Sequence, residues 1–136
     1  MFTYFEAKEI HRDQCRRGRN GNTLNIAEFP YNYLYEDDLF LEITITTDDL
    51  YTQRVNANFV DKYMDLITKN IIRDPIWISC GKKLRDGTIV PHWHRKYFVL
   101  DGNHRTEAYK KMNFEEVVTY IPKSHYEYLL RAEKRG

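Results

Sequence analysis

Cysteine is nearly missing: Cys15 and Cys80 are the only two among 136 residues. That excludes a disulfide framework and a four-thiolate zinc site. Long apolar runs are missing as well, since none approaches the roughly 18 residues of a membrane span. The start, Met1-Phe2-Thr3-Tyr4-Phe5-Glu6, lacks the basic-then-apolar order of a signal peptide. No internal repeat and no low-complexity linker interrupts the chain. Net charge is only +1, so bulk charge argues neither for nor against nucleic acid. What is present is a 42% hydrophobic and 15% aromatic composition, which argues against disorder. A chain of this size hides about two-thirds of its unfolded surface. The expectation is a soluble, cytoplasmic protein with one substantial core.

Charge is unevenly distributed. Residues 1–22 carry a net +2, while residues 23–50 hold no Lys or Arg and seven carboxylates, Glu28, Glu36, Asp37, Asp38, Glu42, Asp48 and Asp49. The remaining residues carry a net +6. Such asymmetry often marks a surface that handles phosphate, although an acidic solvated face is the simpler account of the middle segment taken alone.

Turn residues and hydrophobic periodicity place the elements. Residues 11–22 read as a loop, because Gly18, Gly21 and the Asn residues favour turns. Tyr31, Tyr33 and Tyr35 alternate after Pro30, as in a short edge strand or an extended arm laid on the body. Leu39 to Ile45 is a strand with Leu41, Ile43 and Ile45 on one face. A helix follows from about Asn58 to Asn70, with Asn56 or Asn58 as its cap. Its apolar positions Phe59, Val60, Tyr63, Met64, Ile67 and Ile71 are spaced for one buried face. Asp74-Pro75 ends it, and Ile76-Trp77-Ile78 begins a strand. Gly81 to Gly87 is a turn region, Thr88 to Val90 and Tyr97 to Leu100 are strands, and His104 to Met112 is a helix with Ala108, Tyr109 and Met112 inward. Val117 to Ile121 is a last strand, and Ser124 to about Lys134 is a helix presenting Tyr128, Leu129 and Ala132. This order predicts an α+β fold with a mixed sheet, in which the strand at 41–46 lies beside the strand at 97–101.

The stretch richest in chemistry is Phe98-Val99-Leu100-Asp101-Gly102-Asn103-His104-Arg105-Thr106-Glu107-Ala108. An apolar strand ends in Asp-Gly and a helix begins at once with polar residues. A helix start exposes backbone N–H groups and the positive end of the dipole, which favours phosphate. Gly102 permits the sharp turn and close backbone approach. An exposed Arg105 adds a bidentate contact to phosphate oxygens, and Asp101 or Glu107 can hold a cation or accept a proton. An ordinary strand-to-helix turn with a surface Arg would share this pattern.

The order of these parts resembles the ParB/sulfiredoxin superfamily across residues 41–122. Ile43 through Gln53-Arg54 resembles its first strand and the following segment, and Val60 through Ile71 resembles the helix of its amino-terminal box. Asp74-Pro75-Ile76-Trp77-Ile78, the Gly102-to-Ala108 phosphate box and Asn113-Phe114-Glu115-Glu116-Val117-Val118 follow in the family's order. The resemblance divides the chain into an N-terminal extension, 1–40, a ParB/sulfiredoxin-like domain, 41–122, and a C-terminal helix, 123–136. Gly102-Asn103-His104-Arg105 keeps only the second Arg of the Gly-Glu-Arg-Arg found in ParB proper, which weakens a CTP clamp. Asn103 stands where sulfiredoxins carry their Cys, so thiol-based sulfinic acid reduction is not implied. Asp-Gly-Asn-His-Arg is closest to the Asp-Gly-His-His-Arg type of the free serine kinases of this fold.

That likeness implies a nucleoside triphosphate brought with Mg²⁺, and phosphoryl transfer or hydrolysis. Gly102, Asn103, His104, Arg105 and Thr106 would bind phosphate. Asp101, Glu42, Asp49 and His104 are the catalytic candidates. DNA is the alternative partner, bound or cut, with Arg16, Arg17 and Arg19 gripping phosphates. A non-catalytic protein-interaction module is the third reading. His92 and His94 share one strand face and could form a metal pair with Asp101 or His104. Two partly buried hairpin histidines are the simpler account, so no metal ligand is assigned.

Overall fold

The computed structural model describes residues 1–17, 28–71, 74–92 and 97–135, with backbone alone at residue 17 and residues 133–135. Strand β1 (Phe2–Thr3) leads into α1 (Tyr4–Arg17). A 3-10 turn at Tyr33–Tyr35 precedes β2 (Leu39–Thr46), and a second at Thr47–Asp49 precedes β3 (Leu50–Tyr51). Then come α2 (Ala57–Thr68), β4 (Ile76–Ser79), β5 (Gly81–Lys83), β6 (Ile89–Pro91) and β7 (Tyr97–Asp101). The chain closes with α3 (Asn103–Lys111), β8 (Glu116–Pro122) and α4 (Lys123–Arg135). Among the described residues, six strands form one mixed sheet in the order β1-β2-β8-β4-β7-β3, while β5 and β6 make a separate antiparallel pair. The fold is α+β, as the element order implies.

Strand alternation divides the side chains between the two faces of the sheet. Ile76 and Ile78 of β4 enter one core with Ile45, Val99, Val117 and Ile121, closed by Val60 and Ile67 of α2 and by Ala108 and Tyr109 of α3. Trp77, between them in sequence, points the other way and packs with Phe40, Tyr4, Ala7, Tyr31 and Tyr35. All four residues of β4 are therefore buried, which explains why the segment reads as a short unbroken apolar run. Asn56 caps α2, its side chain accepting from the Asn58 N–H at 2.9 Å.

Several expectations need correction. The strand at 41–46 does not lie beside the one at 97–101: β2 sits between β1 and β8, and β7 between β4 and β3. The Thr47 hydroxyl reaches the carbonyls of residues 114 and 115 and its N–H donates to the latter, clamping the end of β2 to the start of β8. Residues 11–17 are helical, because α1 is held by tertiary bonds its polar sequence does not advertise. Trp77 Nε1 donates to Gln14 Oε1 at 2.7 Å, and His11 is buried. The tyrosine segment forms a 3-10 turn with Tyr31 and Tyr35 buried and Tyr33 exposed. Phe59 and Ile71 are 51% and 56% exposed, so the buried face of α2 is narrower than its spacing suggests. Gly81–Lys83 is a strand rather than a turn, because the β6 backbone lies against Gly81 so closely that a Cβ would clash with the Val90 carbonyl. Tyr126 and Leu129, rather than Tyr128 and Ala132, carry α4 onto the core.

Candidate functional site

The end of β7 turns sharply into α3. Gly102 has φ +101°, a left-handed conformation that residues with a Cβ resist. A Cβ there would also meet Arg105 Nη2 at 3.1 Å and the Ile76 side chain at 3.2 Å. The Gly102 carbonyl accepts from both the N–H and the hydroxyl of Thr106, each at 2.8 Å. The first-turn N–H groups of α3 have no carbonyl to meet within the helix, and the residues of that turn line a cleft of ≈ 530 Å³. Gln14 and Cys15 of α1, Gln53 and Arg54, Tyr63 of α2, Asp74, and residues 98–105 line it.

Most polar side chains of the turn brace the cleft rather than point freely into it. Asn103 Oδ1 accepts from the Gln53 N–H at 3.0 Å. His104 Nε2 accepts from the Asn56 N–H at 3.1 Å, which leaves the ring proton on Nδ1. The His104 ring also lies against Phe59 and Tyr63. Thr52 donates to Glu107 at 2.5 Å, so three α3 side chains pin the 52–56 loop. Thr106 is fully buried. Arg105 is only 8% exposed, with Nη1 donating to the Asp74 carbonyl at 2.8 Å; the expectation of a surface Arg is corrected. Its place on the cleft wall follows from the i to i+3 spacing that folds its guanidinium back over Gly102. Arg54, by contrast, is exposed at the cleft, on a left-handed backbone with φ 53°.

Asp101 meets α1. Its Oδ2 accepts from His11 Nε2 at 2.5 Å, and Cys15 Sγ lies 3.8 Å from the same nitrogen. Burial pushes the Asp101 carboxyl up, but the His11 bond, the charges of Arg105 and His11, and the Gly102 N–H together outweigh it. The net result lies below the ordinary value, so Asp101 is ionised at neutral pH. Cys80 is a different kind of thiol: burial pushes it up to about 12, and it is inert as a nucleophile.

The structure thus brings together Asp101, Gly102, Asn103, His104 and Arg105 on one cleft wall, with Thr106 just behind it. Glu42 and Asp49 do not line that cleft. Glu42 is exposed on β2, three strands from β7, and Asp49 is exposed beside β3. Arg16 is exposed on α1, Arg17 ends that helix, and Arg19 lies outside the described residues. His92 stacks on Phe98 with centroids 3.7 Å apart, and His94 lies outside the described residues. Sequence reasoning missed His11, Gln14 and Cys15. The detectable signal was the four-residue spacing of His11 and Cys15, which pairs them on one helix face once the segment is read as helix.

No protein-family model and no curated protein matches the chain. Among solved structures it is similar to the crystal structure of sulfiredoxin from Arabidopsis thaliana, with 18% identity and a TM-score of 0.40. That superposition covers 60% of this chain and 83% of the other.

Proposed function

We propose that this chain is a ParB/sulfiredoxin-like domain that binds a nucleoside triphosphate at the Asp101–Arg105 turn and catalyses phosphoryl transfer or hydrolysis there. The observation that carries the reading is the junction of α3's N-terminus with the cleft, which Arg54 and Arg105 line together with the first turn of the helix. Amides and dipole favour phosphate at such a start, and the arginines supply planar donors matched to its oxygens. The bonds to the Gln53 and Asn56 N–H groups fix the backbone on either side of Arg54, which lowers the ordering cost of binding.

Among the described residues, Asp101 and Asp74 are the acidic ones lining the cleft, a donor set that fits Mg²⁺ carried in by triphosphate oxygens and water. The ion, when bound, neutralises charge on the transferred group. Asp101, kept ionised by His11 and Arg105, accepts a hydrogen bond from the attacking hydroxyl or water and orients it. The Gly102 turn and the first amides of α3 hold the phosphate in line with that attack.

Calorimetric titration with a panel of nucleoside triphosphates and Mg²⁺ tests this. One nucleotide should bind ahead of its relatives. Arg54→Ala should weaken it by about 1.5–3 kcal/mol, the range for hydrogen bonds to charged groups. No heat with any nucleotide, or equal affinity in the Arg54 variant, refutes the reading. Binding of duplex DNA by a protein that ignores the whole panel favours the DNA alternative instead.

A further inference from the structure

We propose that His11, Cys15 and Asp101 form a three-ligand site for a transition-metal ion of the zinc class, with its remaining coordination position turned toward the cleft. This goes beyond the nucleotide reading and does not depend on it. The three residues arrive from distant parts of the chain. Helix α1 sets His11 and Cys15 one turn apart on one face, and β7 delivers the Asp101 carboxylate at its last residue. Their donor atoms, one nitrogen, one sulfur and one oxygen, all lie within 4.8 Å of one another.

Donor chemistry selects the ion. Imidazole and thiolate suit Zn²⁺ and its neighbours, whereas Mg²⁺ and Ca²⁺ require oxygen cages. With Zn–S near about 2.3 Å and Zn–N and Zn–O near about 2.0 Å, tetrahedral donors stand roughly 3.2–3.6 Å apart. The Sγ–Nε2 distance of 3.8 Å is already close to that. The Nε2–Oδ2 pair, at 2.5 Å, opens as the ion replaces the proton between them. His11 is 2% exposed and walled edge-on by Phe29 and Trp77. This apolar casing fixes the ring and strengthens the electrostatic grip on the ion. Cys15 and Asp101 line the cleft while His11 does not, so the ion has protein behind it and one open side. A site with three protein ligands and an open position is the arrangement that presents an oxygen ligand or a reactive water.

The test uses the full chain, reduced, stripped with a chelator and titrated with Co²⁺ in the absence of nucleotide. One equivalent should bind and give the intense near-ultraviolet absorption of thiolate-to-cobalt charge transfer, and one equivalent of Zn²⁺ should bleach it. Cys15→Ser should abolish that absorption, and His11→Gln should weaken Zn²⁺ at least about 10- to 100-fold in chelator competition. The far-ultraviolet dichroism of both variants confirms that they are folded. Stoichiometric binding without the thiolate absorption, or absorption that persists in Cys15→Ser, overturns the proposal, as does no binding by the wild type. Because nucleotide is left out, a negative result leaves the phosphate cleft to be judged on its own titration.

Discussion

Acid should destabilise this protein well above the range in which carboxylates titrate, and His125 should be the cause. His125 is fully buried where α4 meets the tyrosine turn and the end of β4. The Cys80 N–H donates to its Nδ1 at 3.2 Å, so Nε2 carries the proton and donates to the Tyr35 hydroxyl at 2.8 Å. Both nitrogens are satisfied by the neutral ring. Burial, helped by the charge of Lys83 and by His92 against the opposing Asp38, pushes its pKa from 6.5 down to about 4. A depressed histidine pKa means that the unfolded chain takes up a proton while the folded one does not. Stability is therefore complete above about pH 6.5 and lost progressively down to about pH 4. At about 1.4 kcal/mol per pH unit, the whole effect is about 3 kcal/mol, of which about 2.5 is lost by pH 4.5. That is a large part of a typical domain's about 5–15 kcal/mol.

Urea unfolding followed by tryptophan fluorescence at about pH 7 and about pH 4.5 reads it directly. The midpoint should fall by roughly 1 M for an m-value of about 2 kcal/mol/M. His92, whose pKa burial also lowers, acts with the same sign, so the decisive quantity is a difference between proteins. His125→Asn keeps an acceptor for the Cys80 N–H without a titrating ring. It should be less stable than wild type at neutral pH, and that gap should shrink by about 2.5 kcal/mol at pH 4.5. A gap that does not change with pH refutes the reasoning.

Three further outcomes follow from the cleft. Gly102→Ala should cost about 1–2 kcal/mol from the left-handed backbone alone, with more from the crowding against Arg105 and Ile76; an unchanged melting midpoint would contradict it. Arg105→Ala should lower stability by about 1–3 kcal/mol, because the Asp74 carbonyl loses its donor, and Arg105→Lys should restore only part of this. Thermal unfolding with and without nucleotide separates that loss from any loss of affinity. Asp101→Asn should remove a stability contribution that is complete above about pH 4 and lost as pH falls through the depressed carboxyl value, so its effect should vanish in strong acid; an effect that persists there would place the role of Asp101 elsewhere.

Local pattern carried most elements of residues 39–135 and the site's turn, though not the short strands β3 and β5. Alternation in Leu39 to Ile45, a three-four spacing in α2 and the Asp-Gly break at 101–102 are all short-range signals, and each corresponds to an element found in the fold. Pattern also identified Gly102 as the residue the turn needs, because a positive φ is a demand on one residue alone. Tertiary structure decided the rest. Alternation assigns a strand's faces but not its neighbours, so nothing within β2 told it to pair with β8 rather than β7. Helix α1 is stabilised from outside itself, through Gln14 on Trp77 and His11 on Asp101, and its polar run between helix and Gly18 reads as loop without those partners. The same contacts are what join His11 and Cys15 to a carboxylate 90 residues away from the histidine. Arg105 looked like a surface side chain because its burial depends on Asp74 and on the missing Cβ of Gly102. Short-range sterics and periodicity are written in neighbouring residues. Which side chains share a cleft depends on how the sheet is ordered, and that is settled only when distant segments pack.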